Sequence, residues 1–202
     1  MLTPVLLAIP TIVLPVLLSS PTGDCQFERM GDPAADARAV ASFEIAVNDY
    51  ASLHRRLERA WPPMWFISDL EQADSVAKAF RAVLRAARPQ ATRGSFFAPD
   101  VADLFRFRMS GAIREQNLDL EAMTSLAEET GTESWWTPVI NEPLPWGGAG
   151  TPWPIFEALP ALPLELEYRL VGRDLVLLDV RANMVIDILD LAVPAFGNAD
   201  PD

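Results

Sequence analysis

Residues 165–189 read ELEYRLVGRDLVLLDVRANMVIDIL. From Glu165 to Val171 polar and apolar side chains alternate, the period of a half-buried strand. Gly172-Arg173 is a two-residue connection with glycine first, which suits a type II′ hairpin turn. Asp174–Val180 is apolar on both faces, as a central strand is. Arg181-Ala182-Asn183 then turns the chain into a third strand over Met184–Leu189. The stretch predicts an antiparallel meander with Glu165, Glu167 and Arg169 directed outward. Asp179 and Asp187 each interrupt an apolar run. If Leu177 stands opposite Asp187, both carboxylates project from one face, where they could act as an acid/base couple or a cation site. A solvent-facing edge explains them more simply.

Upstream the period changes to that of a helix. Asp32-Pro33 combines an N-cap residue with proline in the first turn. Val40, Phe43, Val47, Tyr50, Leu57 and Trp61 then recur at spacings of three and four, with His54 in the gap, and Pro62-Pro63 closes the run. Ser68-Asp69-Leu70-Glu71 reads as a capping box that opens a second helix through about Ala87. Its inner face is Leu70, Ala73, Ala77, Phe80 and Leu84, with Lys78, Arg81, Arg85 and Arg88 mostly turned outward. After a loop, Pro99-Asp100 starts a third helix with Val101, Leu104, Phe105, Met109 and Ile113 on one face. A fourth follows from Asp119 to about Glu129, ahead of Gly131.

Between the helical and the strand-like parts lie seven of the 18 prolines, from Pro138 to Pro163, together with Gly147, Gly148 and Gly150. That density supports no long helix, so the segment is a linker or a loop draped over the body. Four of the six tryptophans, Trp135, Trp136, Trp146 and Trp153, fall here. They form either a stacking surface for a ligand or partner protein, or a set of anchors that pin an irregular segment to the core. The anchoring role is the simpler one, because a long unstructured segment needs such pins to stay ordered.

Composition removes most familiar chemistry. One histidine, His54, and one cysteine, Cys25, leave no disulfide framework and no Cys/His metal centre. A serine triad would have to use His54, and no G-x-S-x-G elbow is present. His54 reads as a general base or pH sensor, or as a packed histidine bonded to a neighbour; no nucleophile beside it in sequence favours packing. Neither phosphate-binding glycine pattern occurs. The net charge is −12. Residues 1–114 hold 13 basic and 12 acidic side chains, residues 115–202 only 3 and 16. Such a balance argues against nucleic acid, whose phosphates need a basic footprint. With no catalytic residue, metal ligand or cofactor motif to point to, a binding protein is favoured over an enzyme.

Residues 1–23 carry no charged side chain, and Val5–Leu18 is almost wholly apolar. As a helix those residues would span roughly 21 Å, short of the roughly 30 Å of membrane hydrocarbon, and Pro10 and Pro15 interrupt them. Small and turn-forming residues follow at 19–23. This is the arrangement of a secretory signal peptide, which places the mature chain in the periplasm or outside the cell, with no membrane span after cleavage. An uncleaved membrane anchor is the competing reading. Cys25 stands where a lipoprotein carries its acylated cysteine, although Asp24 departs from the small-residue pattern before it.

Asn141, Pro145, Leu159-Pro160, Leu162-Pro163 and the run from Leu166 to Leu189 resemble the tail of a group of exported bacterial proteins of no assigned function. The resemblance implies a signal peptide, a variable helical region and a terminal β-unit, and no catalytic residue. More distantly, Tyr168, Val171-Gly172 and Asp174-Leu175 are similar to the hairpin of a periplasmic nickel/cobalt-homeostasis family, with Asn183 where that family tends to have glycine. No metal ligand carries over from it. Together these readings predict an α+β protein with an N-terminal helical subdomain of about four helices and a small C-terminal antiparallel β-meander. The expected divisions are a signal peptide at 1–23, helices at 32–131, a Pro/Gly/Trp-rich connection at 132–163, the meander at 164–193 and a tail at 194–202. The expected function is binding of a ligand or an envelope protein, with a carboxylate hydrolase or a metal-responsive periplasmic factor as alternatives.

Overall fold

Asp32 accepts a hydrogen bond from the Ala34 amide at 3.0 Å, and with Pro33 in the first turn it starts helix α1, Pro33–Glu58. The computed structural model describes residues 32–61, 69–116, 136–145 and 153–194. Helix α2 spans Leu70–Ala87 and α3 Pro99–Glu115, and Trp153–Phe156 forms a single turn, α4. Strands β1 (Leu166–Val171), β2 (Asp174–Asp179) and β3 (Met184–Leu189) form one antiparallel sheet in sequence order. The chain is therefore an α+β protein. The fourth helix expected over 119–129 lies outside the described residues, as do residues 1–31 and the 195–202 end of the tail.

Two boundaries differ from expectation. The N-cap of α2 is Asp69, whose carboxylate accepts from the Glu71 amide at 3.1 Å, while Ser68 lies outside the described residues. The α1 helix stops at Glu58, ahead of the proline pair.

The sheet is a middle layer. On one side Phe43, Phe80, Leu84, Phe105 and Met109 from the helices pack against Leu175, Leu177, Met184 and Ile186, all fully buried. On the other side Val176, Leu178, Val185 and Ile188 are covered by Trp136, Ile140 and Leu144 of the strap 136–145. Both faces of β2 and β3 are thus closed, which accounts for their unbroken apolar runs. The hairpin turn has a positive φ at Gly172 (57°) and not at Arg173, as a type II′ turn requires.

Leu177 pairs with Asp187, as anticipated, but the next pair is Leu178 with Val185. Ile186 is therefore the extra residue of a β-bulge. Strict alternation from Met184 would send Asp187 to the strap side. The bulge instead lets Ile186 and Asp187 both face the helices, where Asp187 meets the α2–α3 loop. That single irregularity puts Asp179 and Asp187 on one face of the sheet.

Candidate functional site

Asp179 and Asp187 are each 0% exposed, and each is committed to its own set of donors. Around Asp179, Oδ2 accepts from the Tyr50 hydroxyl at 2.6 Å and lies 2.6 Å from His54 Nδ1. Oδ1 accepts from the Ala182 amide at 2.7 Å. An ionised carboxylate only accepts, so this geometry requires the imidazole proton on Nδ1. Tyr50 and His54 are one helical turn apart on the inner stripe of α1, and both are sealed. On its other side, His54 Nε2 lies 3.7 Å from a Glu58 carboxylate oxygen, and Glu58 is also bound by Arg181 from the β2–β3 turn. Burial first, then the Asp179 charge, pushes the Tyr50 phenol far above its ordinary pKa.

Asp187 serves the loop between α2 and α3. It accepts from the backbone amides of Gly94 at 2.8 Å, Phe96 at 2.6 Å, Phe97 at 3.0 Å and Ile188 at 2.8 Å. A positive φ at Gly94 (79°) helps aim that loop's amides at the carboxylate. Arg88 lies between the two groups. Its guanidinium sits 5.2 Å from the Tyr50 ring centroid and 5.7 Å from that of Phe96, and it donates to the Ile186 carbonyl and to Asn141 Oδ1. Burial lowers the Arg88 pKa, opposed by Tyr50, Asp187 and Asp179. The carboxylate pair therefore shares a face and the field of one cation, while its hydrogen bonds go to separate elements. Neither oxygen pair is open to a substrate.

Of the α2 cations, Lys78 and Arg85 turn outward as expected, and Arg81 and Arg88 do not. Arg81 is 9% exposed, its Nε donating to the Ala182 carbonyl at 2.9 Å, and Arg88 is half-buried. Both turn inward because the strap and the β2–β3 turn close over that side of α2, an arrangement that helical periodicity does not reveal. Arg85 remains exposed and binds the Asn141 carbonyl at 2.7 Å and the Glu142 carboxylate at 2.8 Å. Glu165 is likewise not simply outward, since it accepts from Arg55 of α1 at 2.9 Å.

The strap is held along its length. Asn141 N–H donates to the Val185 carbonyl and Val185 N–H to the Glu142 carbonyl, so the strap pairs with the open edge of β3. Asn183 donates to the Leu144 carbonyl at 2.8 Å. Of the four tryptophans, Trp136 is half-buried, packed against the strap-side cluster and lining the cleft described below. Trp135, Trp146 and the Trp153 side chain lie outside the described residues.

Between α2, the strap and the β2–β3 turn opens a cleft of about 530 Å³, lined by Asp74, Arg81, Trp136, Val139, Pro143 and Asn183 among others. Its size is that of a small-molecule site, which typically runs to about 300–1,000 Å³. A second hollow of about 450 Å³ lies between residues 156–162 and the start of β1. Among the described residues no three of His, Cys, Asp and Glu come together as metal ligands, and no helix is long and apolar enough to cross a membrane.

Sequence reasoning singled out Asp179, Asp187, Trp136 and His54, and missed Tyr50 and the two inward arginines as polar partners. One signal could have found Tyr50. Two polar-tipped residues one turn apart on a buried stripe, with a carboxylate inside an apolar strand, must satisfy one another.

The arrangement defines an α+β protein with a sealed polar seam between helix and sheet and an open cleft beside it. No protein-family model, curated protein or solved structure matches this chain.

Proposed function

We propose that this chain is an exported, non-catalytic protein, periplasmic or secreted, that binds a ligand or an envelope partner in the cleft between α2 and the strap. One contrast carries the reading. The groups suited to proton transfer, His54, Asp179 and Asp187, are 1%, 0% and 0% exposed, whereas the concave, solvent-reached surface is walled by Trp136, Val139, prolines and a few polar side chains. A hydrolase working through Asp179 and Asp187 would need a substrate to enter a closed core. The likeness of residues 166–189 to the tail of exported bacterial proteins supports the compartment, as does the apolar stretch over residues 5–18. In this reading residues 1–23 are removed on export and a fourth helix over 119–129 completes the helical body.

The compartment is tested by fractionating cells and sequencing the mature N-terminus. A cytosolic protein that retains Met1 refutes it. The binding role is tested by ligand-observed NMR with a fragment library. Fragments should bind the wild-type protein and lose binding in Trp136→Ala. A library with no Trp136-dependent member refutes the cleft as the binding surface.

A further inference from the structure

Arg81 is nine-tenths buried yet only partly used. Its Nε is occupied by the Ala182 carbonyl. Among the described residues, Nη1 and Nη2 have no hydrogen-bond acceptor or ion-pair partner, and neither is sealed from solvent. The residue lines the cleft, so these donors meet solvent there. A guanidinium fixed at Nε presents its two Nη groups as a rigid fork, the geometry that pairs with the two oxygens of a carboxylate. Glu142 is bound at Oε1 by Arg85 and forms no ion pair with Arg81, although its charge acts on the guanidinium. Asp74 lines the same cleft and is exposed; its charge acts on Arg81 from beyond ion-pair distance and opposes an anion at the mouth. The rest of the wall, Trp136, Val139, Pro143, Leu144 and Pro145, is apolar.

We propose that the cleft takes an organic monocarboxylate with an apolar body, the carboxylate accepting from Arg81 Nη1 and Nη2 and the body lying against Trp136, Pro143 and Pro145. The proposal rests on the cleft being the binding surface, as argued above. A phosphate is disfavoured, since Asp74 and Glu142 repel a dianion more than a single planar charge. A free acid and a peptide C-terminus present the same chemistry, and the test separates them.

The probes are octanoate against 1-octanol, acetyl-leucyl-leucine against its C-terminal amide, and octyl phosphate, titrated by calorimetry into the purified full chain. At least one carboxylate should bind about ten- to a hundredfold more tightly than its uncharged counterpart, the worth of a charge-assisted pair. Arg81→Gln should erase that preference. Asp74→Asn, at an exposed site that leaves the core untouched, should tighten the carboxylate several-fold and leave its uncharged counterpart unchanged. This second variant keeps the test decisive if loss of the Arg81 bond to Ala182 prevents folding. Preference for octanoate identifies a free acid, and preference confined to the dipeptide identifies a chain terminus. Equal binding of charged and uncharged probes, both lost in Trp136→Ala, overturns the carboxylate and leaves the cleft. Tighter binding of octyl phosphate overturns the ligand class. Absence of all binding overturns the carboxylate assignment, while the fragment library decides the cleft separately.

Discussion

Tyr50→Phe tests whether the seam between α1 and the sheet contributes to stability. The substitution removes one oxygen and little else. The ring keeps its edge contact with Phe96, centroids 6.1 Å apart, and its place 5.2 Å from the Arg88 guanidinium. What is lost is a 2.6 Å hydrogen bond to a fully buried carboxylate oxygen. Hydrogen bonds to charged groups are worth about 1.5–3 kcal/mol net. Asp179 retains His54 and the Ala182 amide as donors, so the cost falls near the middle of that range, about 2 kcal/mol. For a chain of this size that lowers Tm by about 4–8 °C. Urea unfolding followed by tryptophan fluorescence gives the free energy directly, provided the slope with denaturant is unchanged. A cycle with Asp179→Asn isolates the pair: Tyr50→Phe should cost less than half as much once the carboxylate charge is gone. A loss under about 0.5 kcal/mol, within the spread of ordinary surface substitutions, would refute the reasoning. So would an equal loss on the Asp179→Asn background.

Alkaline pH should unfold the protein cooperatively. Both tyrosines of the chain, Tyr50 and Tyr168, have phenol pKa values raised by burial above the ordinary 10.0, so the folded state holds their protons longer than the unfolded state. That stabilisation is complete below about pH 10 and falls above it by about 1.4 kcal/mol per pH unit for each tyrosine. Tyrosinate absorbance should appear only as the fold is lost, and reversible titration near pH 10 by folded protein would count against both burials. Asp187→Asn should destabilise by at least about 2 kcal/mol, because an amide NH₂ replaces an acceptor facing the Phe96 and Phe97 amides. Hydrogen exchange should then speed up at residues 94–97, and unchanged protection would remove Asp187 as the anchor of that loop. Gly172→Ala should cost about 1–2 kcal/mol through backbone conformation alone, since φ is 57° and no heavy atom lies within 4 Å of the added Cβ. A neutral result by urea unfolding would mean that the turn relaxes to another type.

Local chemistry was readable and long-range pairing was not. The start of α1 at Asp32-Pro33, the end of α2 at Ala87, the start of α3 at Pro99 and the Gly172 turn all follow from residues within a few positions of the boundary. The contacts that define the candidate site join residues far apart in the chain. Tyr50 and His54 reach Asp179 across more than 120 positions, and Arg88 reaches Asn141 and Ile186 across 53 and 98. Arg81 shows the limit most clearly. Its position on the helical wheel places it beside the inner stripe, and only the strap laid over α2 decides that it is buried.

The two strand carboxylates illustrate why a polar residue in an apolar run is ambiguous. Read alone, Asp179 and Asp187 suggest a reactive pair or, more simply, a solvent-facing edge; the structure overturns the edge, because both are 0% exposed and sit beside donors. The sheet itself favours the structural role. Side-chain alternation specifies strand register only when one face differs from the other. Here both faces of β2 and β3 are apolar and covered, so hydrophobicity discriminates poorly between the native pairing and a one-residue slip. A slip would carry Asp179 from Tyr50 and His54 into the cluster of Val176, Leu178 and Trp136, where no donor is arranged to receive it. It would also strip four amides of their acceptor at Asp187. An unpaired buried charge costs several kcal/mol, far more than a slipped apolar contact. The carboxylates thus supply the register information that the apolar pattern lacks, and the bulge at Ile186 is the backbone adjustment that lets both meet their donors at once.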